Sequence, residues 1–293
     1  MRTLNFGSLN IDEVYAVERI ARPGETVASR SRGLFAGGKG ANQSVALARA
    51  GATVAHAGAV GEDGRWLIDK LAADGVDTQH IRVGAAPTGR AVIQVDHAGQ
   101  NAIVLLAGAN HAITAEQREQ TLAGFAAGDL LLVQNEINAV PELMRAAKAR
   151  GMRVCFNPAP FTIEVRDYPL DLVDVLVVNE SEGEGLTTER EPRTIASELA
   201  WRNLEQDVIV TCGSQGVLHQ RGDVCLSVEA VRVAAVDTTA AGDCFIGYFL
   251  AGRAAGMDIE AALRRACRAA AISVTRPGAM DSIPCRAEVD DLA

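Results

Sequence analysis

The chain has 293 residues, 48% hydrophobic and 22% charged, with a formal net charge of −9, which suits one large domain with a sizeable core. The acidic balance, with no basic tail or stripe, excludes nucleic acid as the main partner, and no apolar run approaches the roughly 20 residues needed to span a bilayer. Six cysteines show neither CxxC nor zinc-like spacing with histidine, and "MRTLNFGSLNIDE" has no signal-peptide core, so reduced thiols and a cytoplasmic location are expected.

In chain order, "GSLNIDE" places Asn10 and Asp12 two apart just after the first apolar run, on one side of an extended strand. A carboxylate that accepts from two hydroxyls and an amide that both donates and accepts suit a polyol. Residues 12–33 and 88–108 read as strands with no intervening helix, the second carrying a period-2 alternation and a hairpin turn at "HAGQ". Together they predict a small separate sheet, either a β-extension packed on the main domain or a lid that excludes water.

Between them lies "GLFAGGKGANQSVALARAG". Residues 33–39 fit the G-x-x-x-x-G-K part of a P-loop, but Gly40 stands where the magnesium-binding Ser or Thr belongs, so the motif fails as a Walker sequence. It reads as a glycine-rich turn feeding a helix over 41–50, with Lys39 and Asn42 at the helix mouth. A plain turn with its cap and a polar recognition site both fit it.

Further on, apolar runs such as "DLLLVQ", "MRVCFNP", "DVLVV" and "DVIVTCG" alternate with helical patterns, which predicts βαβ units and a mainly parallel sheet. Ligands bind outside the carboxyl ends of such strands, where Asn157, Asn179 and Gly213 fall. Asn179 and Glu182, three apart at a helix start, either complement the helix dipole or present oxygen ligands for magnesium and its waters. "TCGSQG" is a glycine-flanked turn.

The last motif is "VDTTAAGDCFIGYFLAG". Asp243 stands before an apolar helical run, where it reads as an N-cap. The nearly side-chain-free Ala240, Ala241 and Gly242 instead let backbone N–H groups approach an anion at a helix start. An acid at the edge of an anion site is useful when it takes a proton from a hydroxyl attacking phosphate.

Taken together, "GGKGANQ" near the start and "DTTAAGD" near the end, with "NPAP", "NESE", "TCGSQG" and "VTRPGAMDSIP" in order, resemble the ribokinase-like sugar kinases of the PfkB family over essentially the whole chain. The resemblance implies a single α/β domain, a three-layer sandwich with a mainly parallel sheet and a small β lid often used in dimerisation. It also implies phosphorylation of a sugar's primary hydroxyl by ATP. Carried over, Asp243 is the base, with Ala240, Ala241 and Gly242 as anion hole. Asn10, Asp12, Gly38, Lys39, Gly40, Asn42 and Glu136 hold the sugar. Asn179 and the 211–216 turn (Thr211, Gly213, Ser214, Gly216) hold ATP, and Glu182 helps organise Mg²⁺. Asp237, Thr239, Ser273, Arg276, Gly278 and Ser282 resemble the family's K⁺ loop, mostly through carbonyls.

Within the family the early motifs are most similar to the members that phosphorylate D-ribose at its 5-hydroxyl. Deoxyribose, another pentose, a ketohexose or a nucleoside are the nearest alternatives, and a catalytically silent sugar-binding regulator is the alternative of a different class. Cys267 departs from the family pattern, in which Asn or His often lies near the adenine.

Overall fold

A computed structural model describes residues 1–291. The chain alternates strands and helices as the sequence predicts, beginning with β1 (Thr3–Phe6), β2 (Asn10–Val17), β3 (Ser29–Gly37), α1 (Lys39–Arg49), β4 (Val54–Gly61), α2 (Arg65–Ala73) and β5 (Asp77–Gly84). It continues through β6 (Gly89–Val95), β7 (Asn101–Leu106), α3 (Ala115–Ala123), β8 (Leu130–Gln134), α4 (Val140–Ala149), β9 (Arg153–Asn157), β10 (Val175–Asn179), α5 (Glu180–Thr187) and α6 (Pro192–Arg202). An antiparallel end of β11 (Asp207–Thr211), β12 (Val217–Arg221) and β13 (Val224–Val228) leads into α7 (Ala241–Ala254), α8 (Ile259–Val274) and α9 (Arg286–Asp290).

Nine strands form the main sheet in the order β13-β12-β11-β10-β9-β8-β1-β4-β5, parallel from β5 to β11. The central strands β8, β10 and β11 are Val, Leu and Ile runs buried on both faces, as parallel strands covered by crossover helices must be, while the edge strands β5 and β13 are largely exposed. One core, on the side of α1, α7 and α8, takes Val45, Leu47, Phe249 and Leu263; the other, on the side of α4 and α6, takes Phe6, Leu143, Phe156 and Leu199. The result is three layers with a helix layer on each face of the sheet.

The second sheet, in the order β3-β2-β6-β7, pairs β2 with β6 in parallel and closes each side with a hairpin-like antiparallel neighbour. It is the separate sheet expected from 12–33 and 88–108, except that β3 runs on to Gly37. The glycine-rich stretch is therefore mostly strand, and only Gly38, at φ 94°, makes the turn into α1. A Cβ on Gly40 would strike the backbone of Gly7 and Ser8, so glycine here lets α1 lie directly on the chain leaving β1. Gly247 plays the same part in α7, whose backbone rests against Ala46 of α1. These two contacts set the start of α7 beside the start of α1.

No described helix is long and apolar enough to cross a membrane, and none of the six cysteines is paired.

Candidate active site

The carboxyl ends of the parallel strands deliver the polar side chains. Asn157, Asn179 and Thr211 end β9, β10 and β11, while Ser8 and Glu136 follow β1 and β8. With Lys39 from α1 and residues 240–243 from α7, several of them line a cavity of about 200 Å³ that includes Lys39, Asn157, Asn179, Glu182, Gly242 and Asp243. A second cavity of about 670 Å³ is lined by Gly213, Ser214 and Gly216, and by apolar groups including Val231, Phe245 and Ala271. The two share Thr211, Thr238, Ala241 and Gly242, so the start of α7 stands between a polar chamber and an apolar one.

Asp243 is not the N-cap. Ala240 takes that position in a left-handed conformation, φ 60°, which is uncommon for a residue with a side chain and clusters at functional sites. Asp243 lies in the first turn, only 6% exposed. Its two oxygens accept from amides of α1, Oδ2 from Asn42 Nδ2 at 3.0 Å and Oδ1 from Gln43 Nε2 at 2.8 Å. Burial pushes its pKa up, against the opposing pull of Lys39, Gln43 and Asn42. The Ala241 N–H turns back to the Thr238 carbonyl at 3.3 Å, and the Cys244 N–H to Ala240 at 2.8 Å. The N–H groups of Gly242 and Asp243 stand between them, where a helix has no internal acceptor to offer.

Lys39 holds its proton more firmly than a free lysine, chiefly through Asp243 and then through Glu136 and Glu182. Its ammonium is thus the positive centre of an otherwise acidic chamber. Glu182 is buried and completes a capping box with Asn179: Asn179 N–H donates to Oε2 at 3.0 Å, and Glu182 N–H donates to Asn179 Oδ1 at 2.8 Å. The acid therefore caps α5 and also lines the polar cavity. Among the described residues no three His, Cys, Asp or Glu side chains cluster for a metal. One carboxylate beside amide oxygens fits Mg²⁺, which keeps several waters and takes its other ligands from phosphate.

The expected sugar set gathers at the edge nearest the small sheet. Asn10 and Asp12 share one face of β2, and the Asp12 carboxylate lies over Gly37, where any Cβ would displace it. Burial, with repulsion from Glu136, lifts Asp12 to about 7. Glu136 accepts from Ser8 Oγ and from the Lys39 N–H, tying the loop after β8 to the start of α1. Asn10 Oδ1 accepts from Asn110 Nδ2 at 2.7 Å. Asn110, Gln43 and Ser8 escaped assignment from sequence; Gln43 sits inside the "GGKGANQ" motif and was the one of the three open to notice.

Of the expected K⁺ loop, Asp237 joins two segments. Its Oδ1 accepts from the Thr239 N–H at 2.9 Å and hydroxyl at 2.6 Å, and its Oδ2 from the Gly278 N–H at 2.9 Å. Val236 and Asp237 N–H groups both donate to the Val274 carbonyl, and Arg276 N–H to that of Ser273. Ser282 closes a separate turn on Ala279, and no hydrogen bond among the described residues links it to Asp237. Cys267 lines the apolar cavity, its thiol pushed up to about 11 by burial.

A Cβ built on Gly242 meets nothing within 4 Å, and Gly242 lines both cavities. Gly242→Ala should therefore keep or slightly raise the melting temperature, since alanine favours the helix. If the phosphates of ATP rest against this helix start, as the sequence leads one to expect, ATP affinity should fall roughly tenfold or more, the effect of one methyl overfilling a fitted site at about 1–3 kcal/mol. Calorimetric titration of ATP alongside a thermal melt checks both halves.

Residues 3–286 match the profile of the pfkB family carbohydrate kinases. The chain is 39% identical to the ribokinase of Haemophilus influenzae over 96% of its own length and 95% of that protein. Among solved structures it superimposes on ribokinase from Cryptococcus neoformans in complex with ADP, with a TM-score of 0.88, 35% identity and coverage of 100% of this chain and 99% of the other. Arabidopsis thaliana ribokinase complexed with ribose and ATP matches with a TM-score of 0.86 and 31% identity, covering 99% of this chain and 98% of the other.

Proposed function

The chain belongs to the pfkB family of carbohydrate kinases, and we propose that it transfers the γ-phosphate of ATP to the 5-hydroxyl of D-ribose. The observation that carries this reading is Asp243, a buried acid held by two amides at a helix start that opens onto both cavities.

The adenine lies in the apolar cavity beside the 211–216 turn and Cys267, and the phosphates reach into the polar one along the start of α7. The sugar lies between Asp12, Asn10 and Asn42, with its primary hydroxyl at Asp243. Asp243 takes the hydroxyl proton as the oxygen attacks, and the N–H groups at the start of α7, with Lys39, hold the charge that develops on the transferred group. Glu182 and Asn179 would hold Mg²⁺ and its waters, which would supply charge neutralisation at the phosphates. The 236–239 and 274–278 segments would hold K⁺, mostly through carbonyls, because both oxygens of Asp237 already accept hydrogen bonds, and its charge would support the same helix start.

The small sheet acts as a lid, bringing Asn10 and Asp12 over the sugar and excluding water. The sheet exposes Leu34 and Phe35 on β3 and Ile103, Val104, Leu105 and Leu106 on β7, its two edge strands, and these exposed apolar edges support a homodimer formed lid to lid. Six unpaired thiols fit a cytoplasmic location.

The test is a screen of acceptors with ATP and Mg²⁺, following ADP release. D-Ribose should give the highest kcat/KM, well above 2-deoxyribose, ketohexoses and nucleosides, and K⁺ should raise it where a large organic cation does not. A different best acceptor would redirect the substrate assignment, and no turnover with any of them would leave only a sugar-binding regulator.

A further inference from the structure

We propose that Gln43 is the positioning residue of this site, a side chain that fixes the base Asp243 and couples it to the phosphate side without touching substrate. The proposal rests on reading Asp243 as the base. Gln43 is fully buried and lines neither cavity. Its Nε2 faces two acceptors, Asp243 Oδ1 at 2.8 Å and Asn157 Oδ1 at 3.3 Å. Asn157 in turn donates to the Val177 carbonyl at 3.0 Å and, at 3.4 Å, to Glu182 Oε2. Two amides in series, Gln43 and Asn157, thus stand between the acid at the sugar hydroxyl and the acid at the phosphates.

The direction of that amide matters, because turned over it would present an oxygen to the Asp243 carboxylate. Behind it a buried relay prevents the turn. Gln134 Nε2 donates to Gln43 Oε1 at 2.7 Å and to Asn5 Oδ1 at 3.0 Å. Asn5 Nδ2 donates to the Gly40 carbonyl at 2.7 Å and to Ser44 Oγ at 2.8 Å. Each amide therefore has its orientation set by the next, ending on the backbone of α1 and a side chain of the same helix. The relay is satisfied except at Gln134 Oε1, which is buried without a partner, so the orientation of Gln134 rests on the two acceptors that its Nε2 meets. Asn42, the other partner of Asp243, has no such support: its Oδ1 is buried without a partner. Orientation of the base accordingly comes from Gln43, with Asn42 free to serve the sugar.

The test uses two near-isosteric variants, Gln43→Met, which deletes the donor, and Gln134→Met, which deletes the lock on its orientation. Gln43→Met should lower kcat roughly ten- to hundredfold, the scale of one hydrogen bond to a charged group. Kd values for ATP and sugar should stay within about twofold. The acid limb of the kcat–pH profile should move upward, since losing a donor to a carboxylate favours its protonated form. Gln134→Met should shift kcat and the acid limb the same way by less, and the double variant should cost no more than Gln43→Met alone. Asp243→Asn serves as the control. If it retains activity, the base assignment falls and takes the coupling with it. If it is inactive while folded Gln43→Met and Gln134→Met keep wild-type kcat and pH profile, losing only thermal stability, Gln43 is packing and this proposal alone is overturned. Should Gln43→Met fail to fold, an unmoved acid limb in Gln134→Met overturns it equally.

Discussion

Asp243→Asn should be a folded protein with near-normal melting, near-normal binding of ATP and sugar, and turnover reduced at least about a hundredfold, the lower end of what loss of a general base costs. The local geometry explains why folding survives. Gln43 cannot turn its amide, so the remaining carbonyl oxygen of the substituted side chain stays toward it. The introduced amide nitrogen then faces Asn42, whose buried Oδ1 lacks a partner and becomes its acceptor once that side chain flips. Burial also raises the pKa of Asp243, so replacing it removes a group whose ionised form is costly to bury. What is lost is the capacity to accept the hydroxyl proton. Calorimetry for both ligands, a thermal melt and an ADP-release assay separate these effects. Turnover within a few fold of wild type would make Asp243 a structural residue and end the mechanism.

Much of this arrangement was legible in the sequence because it depends on local chemistry. Apolar runs alternating with helical patterns specify a parallel sheet, and the period-2 pattern after Thr88 specifies β6 and β7. Small residues before Asp243 specify a helix start open to a ligand. Two things were not legible. The first is Asp243's place in the helix: an acid before an apolar run looks like a cap, and only the left-handed turn at Ala240 moves the cap three residues upstream. The second is which polar residues meet. Gln43 and Gln134 are 91 residues apart and Asn10 and Asn110 are 100 apart. Each amide is unremarkable in its own segment, and the fold alone makes them partners. Glycines hid a similar fact, since Gly40 and Gly247 resemble loop or helix-weakening residues until α1 is laid on Ser8 and α7 on α1.

Asp12→Ala should weaken sugar binding by roughly 10²–10⁴, from the loss of two hydrogen bonds to a charged group at about 1.5–3 kcal/mol each, and leave ATP affinity unchanged. The size follows from where the carboxylate is held. It is half-buried over Gly37 on β2, beside Glu136, and both burial and that neighbour raise it to about 7. A group with this pKa is divided between its two forms at neutral pH, whereas hydroxyls donate best to the ionised one. Protonation of Asp12 therefore competes with sugar, and wild-type affinity should improve about tenfold between pH 6 and pH 8. Asp12→Asn keeps the shape and should lose this pH step along with most of the affinity. Stability offers no alternative explanation: a carboxyl with a raised folded pKa favours folding when protonated and loses that contribution between about 3.8 and 7. At pH 8, where the ionised form is the costly one, removing it should not destabilise the fold. Ribose titrations of the wild type and both variants at the two pH values check the argument. Equal affinities throughout would take Asp12 out of the sugar site and leave the small sheet without its main hold on the substrate.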